Sequence, residues 1–373
     1  MKVMYTKHIL SKIVKLSLIS ITLLGCTDNK WMLKSNKIDN TIEFDFNLIL
    51  ASNDIFEVYD FSKNSLDKVN LNLDTLQFKN ANNEFSEIIY NDKYYVLPSI
   101  NDIVYINRKD YSLKVFDNSV GLKDTIISKP IGIGNRSLEI LGDNIYYLLD
   151  IGMLSENGET WAFCTQYSCS KYDDYSYGAG TYVTATNDEI SVLLHIVNKG
   201  DEYFGNEIIN KTYSLDGILK NTEVVDLGFR FGEFLDYFIV SNTEYFEVSD
   251  NEKNYLVSYT KDEVKKIEFD YNEYWGRTKG EGRKVDGEIL YLYLQKDVVV
   301  VDLNSFEIID RIQLNEMENE ENTVLYSFFG KNNLYLVDHK RIYIYSISDF
   351  KLLNVGNHGI NFRDKNYTIG IVE

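Results

Sequence analysis

The chain has 373 residues, with 57 Asp and Glu against 38 Lys and Arg and a formal net charge of −19. So acidic a balance excludes nucleic acid as a partner, because phosphate contacts need a basic face. Twenty-nine tyrosines, abundant Val, Ile and Phe and only two prolines favour strand over helix. The length allows one large repeat domain or two ordinary ones.

The chain opens with Lys2, Lys7, Lys12 and Lys15, then an apolar run from Leu16 to Gly25, with no Asp or Glu before Asp28. A basic segment, a short apolar segment and a small residue make a secretory signal. The clean apolar run is about ten residues, short of the ~20 that a spanning helix needs. Leu23-Leu24-Gly25-Cys26 resembles the lipobox of bacterial lipoproteins. The resemblance implies a signal peptide over residues 1–25 and a lipidated Cys26 as the first mature residue. Its acyl chains, palmitate among them, would hold the membrane at ~0.8 kcal/mol per buried CH2. Residues 26–40 read as the lipidated cysteine and a polar tether, and residues 41–373 as the folded domain. Losing the four lysines of the signal takes the net charge to −23. The implied location is the cell envelope, periplasmic or surface-exposed. Asp28 stands two residues after the cysteine. By the enterobacterial sorting rule, this favours the outer membrane if the cell has two.

Beyond the tether the pattern is short alternating strands broken by turn residues. Hairpins are predicted at residues 55–66, 103–115, 211–218, 255–264, 297–309 and 341–353. The last two are spaced by 44 positions and the two before them by about 43. Further strands precede them, as at 288–293 and 333–337. Three to four strands in ~40–45 residues is the period of a β-propeller blade. A lone blade cannot bury both faces, so such units must stack. The expected fold is all-β, a propeller of about seven blades, with six or eight as alternatives. The final strand at 367–372 is expected to close the ring on the first blade.

Residues 154–161, LSENGETW, resemble the Asp-box, Ser-x-Asp-x-Gly-x-Thr-Trp, of sialidases and related propellers. Gly158, Thr160 and Trp161 match, Leu154 replaces the Ser and Glu156 replaces the Asp. The resemblance implies a structural hairpin between the outer strands of a blade, distant from any active centre. The units around it are longer than the rest, which predicts an insertion.

Cys164 and Cys169 remain after the signal. In an oxidising compartment they are expected to form a local disulfide. Metal binding is the weaker alternative, since His195, His339 and His358 all lie elsewhere. Two segments stand out as binding surfaces. Residues 164–182 read as a loop carrying Tyr167, Tyr172, Tyr175 and Tyr177 among Ser, Gly and Asp, an adaptable contact surface. Residues 271–283 combine Trp275 with Arg277, Lys279 and Arg283, a basic and aromatic island suited to a partner hot spot or a sugar carboxylate. His195, in an apolar run, and residues 229–234 read as core. Residues 316–321, EMENEE, read as a solvated turn.

No Gly-rich phosphate loop, GxSxG or HExxH occurs, and no sialidase arginine motif is evident. The 57 acids leave too many carboxylate pairs for sequence to single one out. No catalytic residue, metal or cofactor is therefore named. The expected role is a binding or scaffold module at the bacterial envelope, with a protein or glycan partner. A carbohydrate-active enzyme is the alternative.

Overall fold

Runs of Val, Ile and Tyr fold as strands, and Asp, Asn, Gly and Ser mark their turns. The computed structural model describes residues 46–71, 88–117, 132–196, 205–270, 282–314, 324–357 and 368–373, except 53–54, 62, 64, 99–101, 142–143, 156–157, 166–168, 178–181, 187, 251 and 295–296. In chain order the strands are β1 (Asn47–Ala51), β2 (Ile55–Asp60) and β3 (Ser65–Asn70), then β4 (Ile89–Tyr90), β5 (Tyr94–Pro98), β6 (Asp102–Asn107) and β7 (Leu113–Asp117). A longer group follows: β8 (Gly132–Leu141), β9 (Asn144–Ser155), β10 (Gly158–Thr165), β11 (Cys169–Tyr177), β12 (Tyr182–Ala185), β13 (Glu189–Ile196), β14 (Gly205–Ser214) and β15 (Leu219–Phe231). Next come β16 (Glu233–Val240), β17 (Thr243–Ser249), β18 (Lys253–Tyr259) and β19 (Val264–Asp270), then β20 (Arg283–Asp286), β21 (Ile289–Leu294), β22 (Asp297–Asp302) and β23 (Glu307–Gln313). The last are β24 (Tyr326–Phe329), β25 (Asn333–Val337), β26 (Arg341–Ser346), β27 (Leu352–Asn357) and β28 (Thr368–Val372).

These strands form six antiparallel sheets, five of four strands and one of eight, arranged as a β-propeller. By sheet count the blades number six, where the repeat spacing predicts about seven. The difference lies in the long group. There, β8–β11 and β12–β15 are joined at a single register pair, Tyr177 opposite Ile196, into one eight-stranded blade. Its two halves still share an apolar cluster, in which Tyr146 and Phe163 of the first half meet Val192 and Ile209 of the second.

The ring closes as the sequence predicts. β28 pairs with β1, Val372 opposite Asn47 and Thr368 opposite Ala51, giving the first sheet the order β28-β1-β2-β3. Ile369 and Ile371 then pack with Phe46, Leu48 and Leu50 against Tyr335, Val337 and Ile342 of the last sheet. Burying each such side chain stabilises by about 1.5–3 kcal/mol. Much of the tyrosine excess is spent this way, since Tyr146, Tyr147, Tyr237, Tyr335, Tyr343 and Tyr345 are all fully buried.

Two turn devices recur with the blades. Asp250 accepts the N–H groups of Glu252 and Lys253 on one carboxylate oxygen and the Tyr255 hydroxyl on the other. Asp338 does the same with Lys340, Arg341 and Tyr343, 88 positions later, twice the 44-residue repeat. The other device places an aromatic residue in the left-handed backbone region. Tyr111 (φ 55°), Phe306 (φ 54°) and Phe350 (φ 50°) each end the turn between the third and fourth strands of a sheet. This conformation costs an L residue roughly 1–2 kcal/mol. Contact with the preceding sheet offsets it. Phe306 lies 6.1 Å from Tyr245, Phe350 lies 5.7 Å from Tyr291, and the Tyr111 hydroxyl donates to Asp67 at 2.9 Å.

Candidate functional site

Four turns gather at one end of the seam between sheets β16–β19 and β20–β23. The β16–β17 turn places Ser241 and Asn242 at φ 49° and 66°, the left-handed pair of a tight hairpin. In the β18–β19 turn, the Thr260 hydroxyl accepts the Glu263 N–H at 3.1 Å. The β20–β21 turn passes through Gly287 at φ 62°, a conformation suited to glycine, and presents Glu288. In the β22–β23 turn Asp302 holds the N–H groups of Asn304 and Ser305, at the turn the sequence predicts.

Between them lies a cavity of about 180 Å³. Its floor is apolar and buried: Tyr245, Leu303 and Phe306. Hydroxyls of Ser241, Thr243, Ser258 and Thr260 line the walls. At the exposed rim, Lys265 pairs with Glu263 at 3.1 Å, and the Asn304 amide donates to Glu288. The Tyr245 hydroxyl donates across the seam to the Leu303 carbonyl at 3.3 Å. Burial pushes the Tyr245 phenol above its ordinary range, partly opposed by hydrogen bonds from Thr243 and Ser258, so it stays protonated. Such a site can hold a small polar molecule on an aromatic base. Among the described residues no group of three or more His, Cys, Asp and Glu is placed to hold a metal.

Deeper in the same seam sits an ion cluster. Asp236 and Glu247 are 1 % and 2 % exposed and opposite each other in register. The Arg283 guanidinium of the next sheet lies 3.1 Å from Asp236 and 3.6 Å from Glu247. It also donates to the Tyr237 carbonyl at 3.4 Å and covers the Phe238 ring at 4.5 Å. Phe238 in turn stacks on Tyr245, 5.0 Å away. One guanidinium answers both carboxylates, and their burial makes the cluster a brace between blades rather than an acid–base pair open to substrate.

The structure redistributes the residues singled out from sequence. Arg283, read as part of an exposed basic island, points into the seam and is mostly buried. Trp275 and Arg277 lie outside the described residues. The supposed tyrosine loop is largely strand: Tyr172, Tyr175 and Tyr177 belong to β11, and Tyr167 lies outside the described residues. Tyrosine's strand preference, alternating with small polar residues, explains the difference. Cys164 and Cys169 are register partners across β10 and β11, and their side chains lie outside those described. Of the Asp-box residues, Gly158, Thr160 and Trp161 open β10, and Glu156 lies outside the described residues. The segment therefore joins the second and third strands of its group rather than the outer two, and β9 and β10 pair there with register shifts. His195 is fully buried and stacked on Phe231 at 4.2 Å, as a core histidine. Cys26 and residues 316–321 also lie outside the described residues. The seam cavity was not read from the sequence. Its residues come from four separate turns, none unusual in composition.

No protein-family model matches the chain, and no curated protein does. Among solved structures, apo AztD from Citrobacter koseri is similar with a TM-score of 0.47 and 10 % identity, over 88 % of this chain and 97 % of that one. The Neurospora crassa Pan2 WD40 domain is similar with a TM-score of 0.45 and 7 % identity, over 72 % and 76 % of the two chains. Kluyveromyces lactis Hsv2 is similar with a TM-score of 0.40 and 9 % identity, over 71 % and 74 %. These likenesses concern the fold, and nothing about ligand or partner is taken from them.

Proposed function

We propose that this protein is an exported recognition module, anchored to the bacterial cell envelope by lipid on Cys26, that binds a protein or glycan partner through its propeller. The observation that carries the binding role is the seam cavity, with a buried aromatic floor and a paired polar rim. Buried apolar anchors ringed by polar groups are the usual build of a small-ligand site. The location rests on the lysine-rich start and on Leu23-Leu24-Gly25-Cys26. An oxidised Cys164–Cys169 pair would suit the same compartment, since the two cysteines already oppose each other.

The test has two arms. Cells fed an alkyne-bearing palmitate should label the full-length protein, and Cys26→Ser should lose the label and leave the membrane fraction. In-cell crosslinking followed by mass spectrometry should capture one dominant envelope protein, or peptidoglycan and other glycan fragments. Capture that persists when Trp275, the 164–169 turn and the seam cavity are altered together would count against a specific site.

A further inference from the structure

We propose that the cavity between sheets β16–β19 and β20–β23 is a subsite for a single sugar ring, held by Glu288, Asn304 and the aromatic floor. The inference rests on the binding reading and deepens it by naming the ligand class. Size is the first argument. A cavity of about 180 Å³ holds roughly six waters' share of liquid volume and falls below the ~300 Å³ at which drug-sized pockets begin. A volume of that order suits a single ring.

Charge is the second. Both signs occur at the rim: Glu263 is ion-paired with Lys265, while Glu288 keeps its charge and accepts the neutral Asn304 amide. What a ligand meets at Glu288 is a carboxylate that keeps its charge and has oxygen capacity left to accept hydroxyl donors. Glu288 beside Asn304 offers an acceptor next to a donor. Two neighbouring hydroxyls match that pair, each able to donate to the carboxylate or accept from the amide. The third argument is the floor. Tyr245 and Phe306, 6.1 Å apart and tilted by 35°, are buried beneath those polar groups. Aromatic rings there give apolar surface to the C–H face of a sugar while its hydroxyls reach the rim.

The site's position gives it a definite face. Strand β19 starts at the cavity with Val264 and ends at Asp270, and β20 returns from Arg283 to Asp286 beside the cavity. The connection that carries Trp275 therefore joins the opposite ends of these strands.

Saturation-transfer difference NMR on the purified full-length protein tests the proposal, with glucose, galactose and N-acetylglucosamine offered one at a time. Saturation is expected to reach the ring protons of at least one of them. Glu288→Ala with Asn304→Ala, both at exposed positions, should weaken that sugar about tenfold, the size of one lost charged hydrogen bond. Thr260→Trp, which fills the mouth, should abolish the signal in a protein that still unfolds cooperatively, with a melting temperature only slightly lowered by the lost Thr260–Glu263 turn bonds. No transfer from any of the three sugars would overturn the proposal. So would a signal that survives both variants, or binding of tetramethylammonium without any sugar. If the sugars fail while crosslinking still captures an envelope protein, the ligand class falls and the binding reading stands.

Discussion

Asp236 and Glu247 oppose each other across β16 and β17, two almost wholly buried carboxylates answered by one guanidinium from the neighbouring sheet. Like charges directly opposite in a sheet destabilise it. The arrangement holds because Arg283 of the next blade reaches both. Arg283→Met should therefore cost about 3–5 kcal/mol, as for other broken buried pairs, and lower the melting temperature accordingly. Adding Asp236→Asn and Glu247→Gln to that variant should recover much of the loss, by removing the charges that Arg283 compensated. A parent and two variants of equal stability would show that the cluster braces nothing.

Phe350 combines a left-handed backbone with a buried ring. Phe350→Ala should cost about 3–5 kcal/mol through the lost contact with Tyr291 and its neighbours. Phe350→Gly removes as much packing but also relieves the backbone, so it should be more stable than the alanine variant by about 1 kcal/mol. Denaturant melts of the pair decide it. The order is the reverse of that found inside a strand, and glycine ranking below alanine would refute the account.

Glu244 gives the stability a pH dependence of known sign. Burial raises its carboxyl above the ordinary range, partly opposed by hydrogen bonds from Tyr237 at 2.7 Å and Asn210 at 3.4 Å. The folded state therefore holds the proton more tightly than the unfolded chain does. Its contribution is fully present below the unfolded value of about 4.3 and is lost as pH rises through the folded value. Glu244→Gln keeps the shape without the charge. Its melting temperature should match the parent in acid and exceed it increasingly as pH climbs through that window. A gap that stays constant with pH would exclude the mechanism.

The closing strand should be where the ring opens first. Ile371→Ala removes a buried side chain from the contact between the first and last sheets and should cost about 2–5 kcal/mol. Amide exchange should rise in β28 and also in β1, its register partner, before it rises in β17 or β22. A rise confined to β28 would mean that β1 does not depend on the closure.

The repeats were legible because one 44-residue spacing carries strand pattern, turn residues and turn aromatic together, as in residues 297–309 and 341–353. The closing strand was legible for a similar reason, a lone apolar alternation with no partner nearby in sequence. The functional candidates were not. Arg283 sits in a basic, aromatic stretch that reads as surface, and only the stacking of one sheet on the next brings Asp236 and Glu247 against it. Glu288 and Asn304 meet because two turns of one sheet lie side by side, and Thr260 joins them from another sheet. Pairings between sheets follow from blade geometry, and no local pattern encodes them.

Ala51 and Thr368 are register partners 317 positions apart. At about 5–20 residues per second, the ribosome makes β1 some 15–60 s before the strand that covers its edge. For that interval the first sheet exposes a row of unsatisfied N–H and C=O groups, a template for any other extended chain. The protein is most open to misassembly until its last strand is in place. A cell producing it in quantity would need to keep nascent copies apart until the last strand arrives.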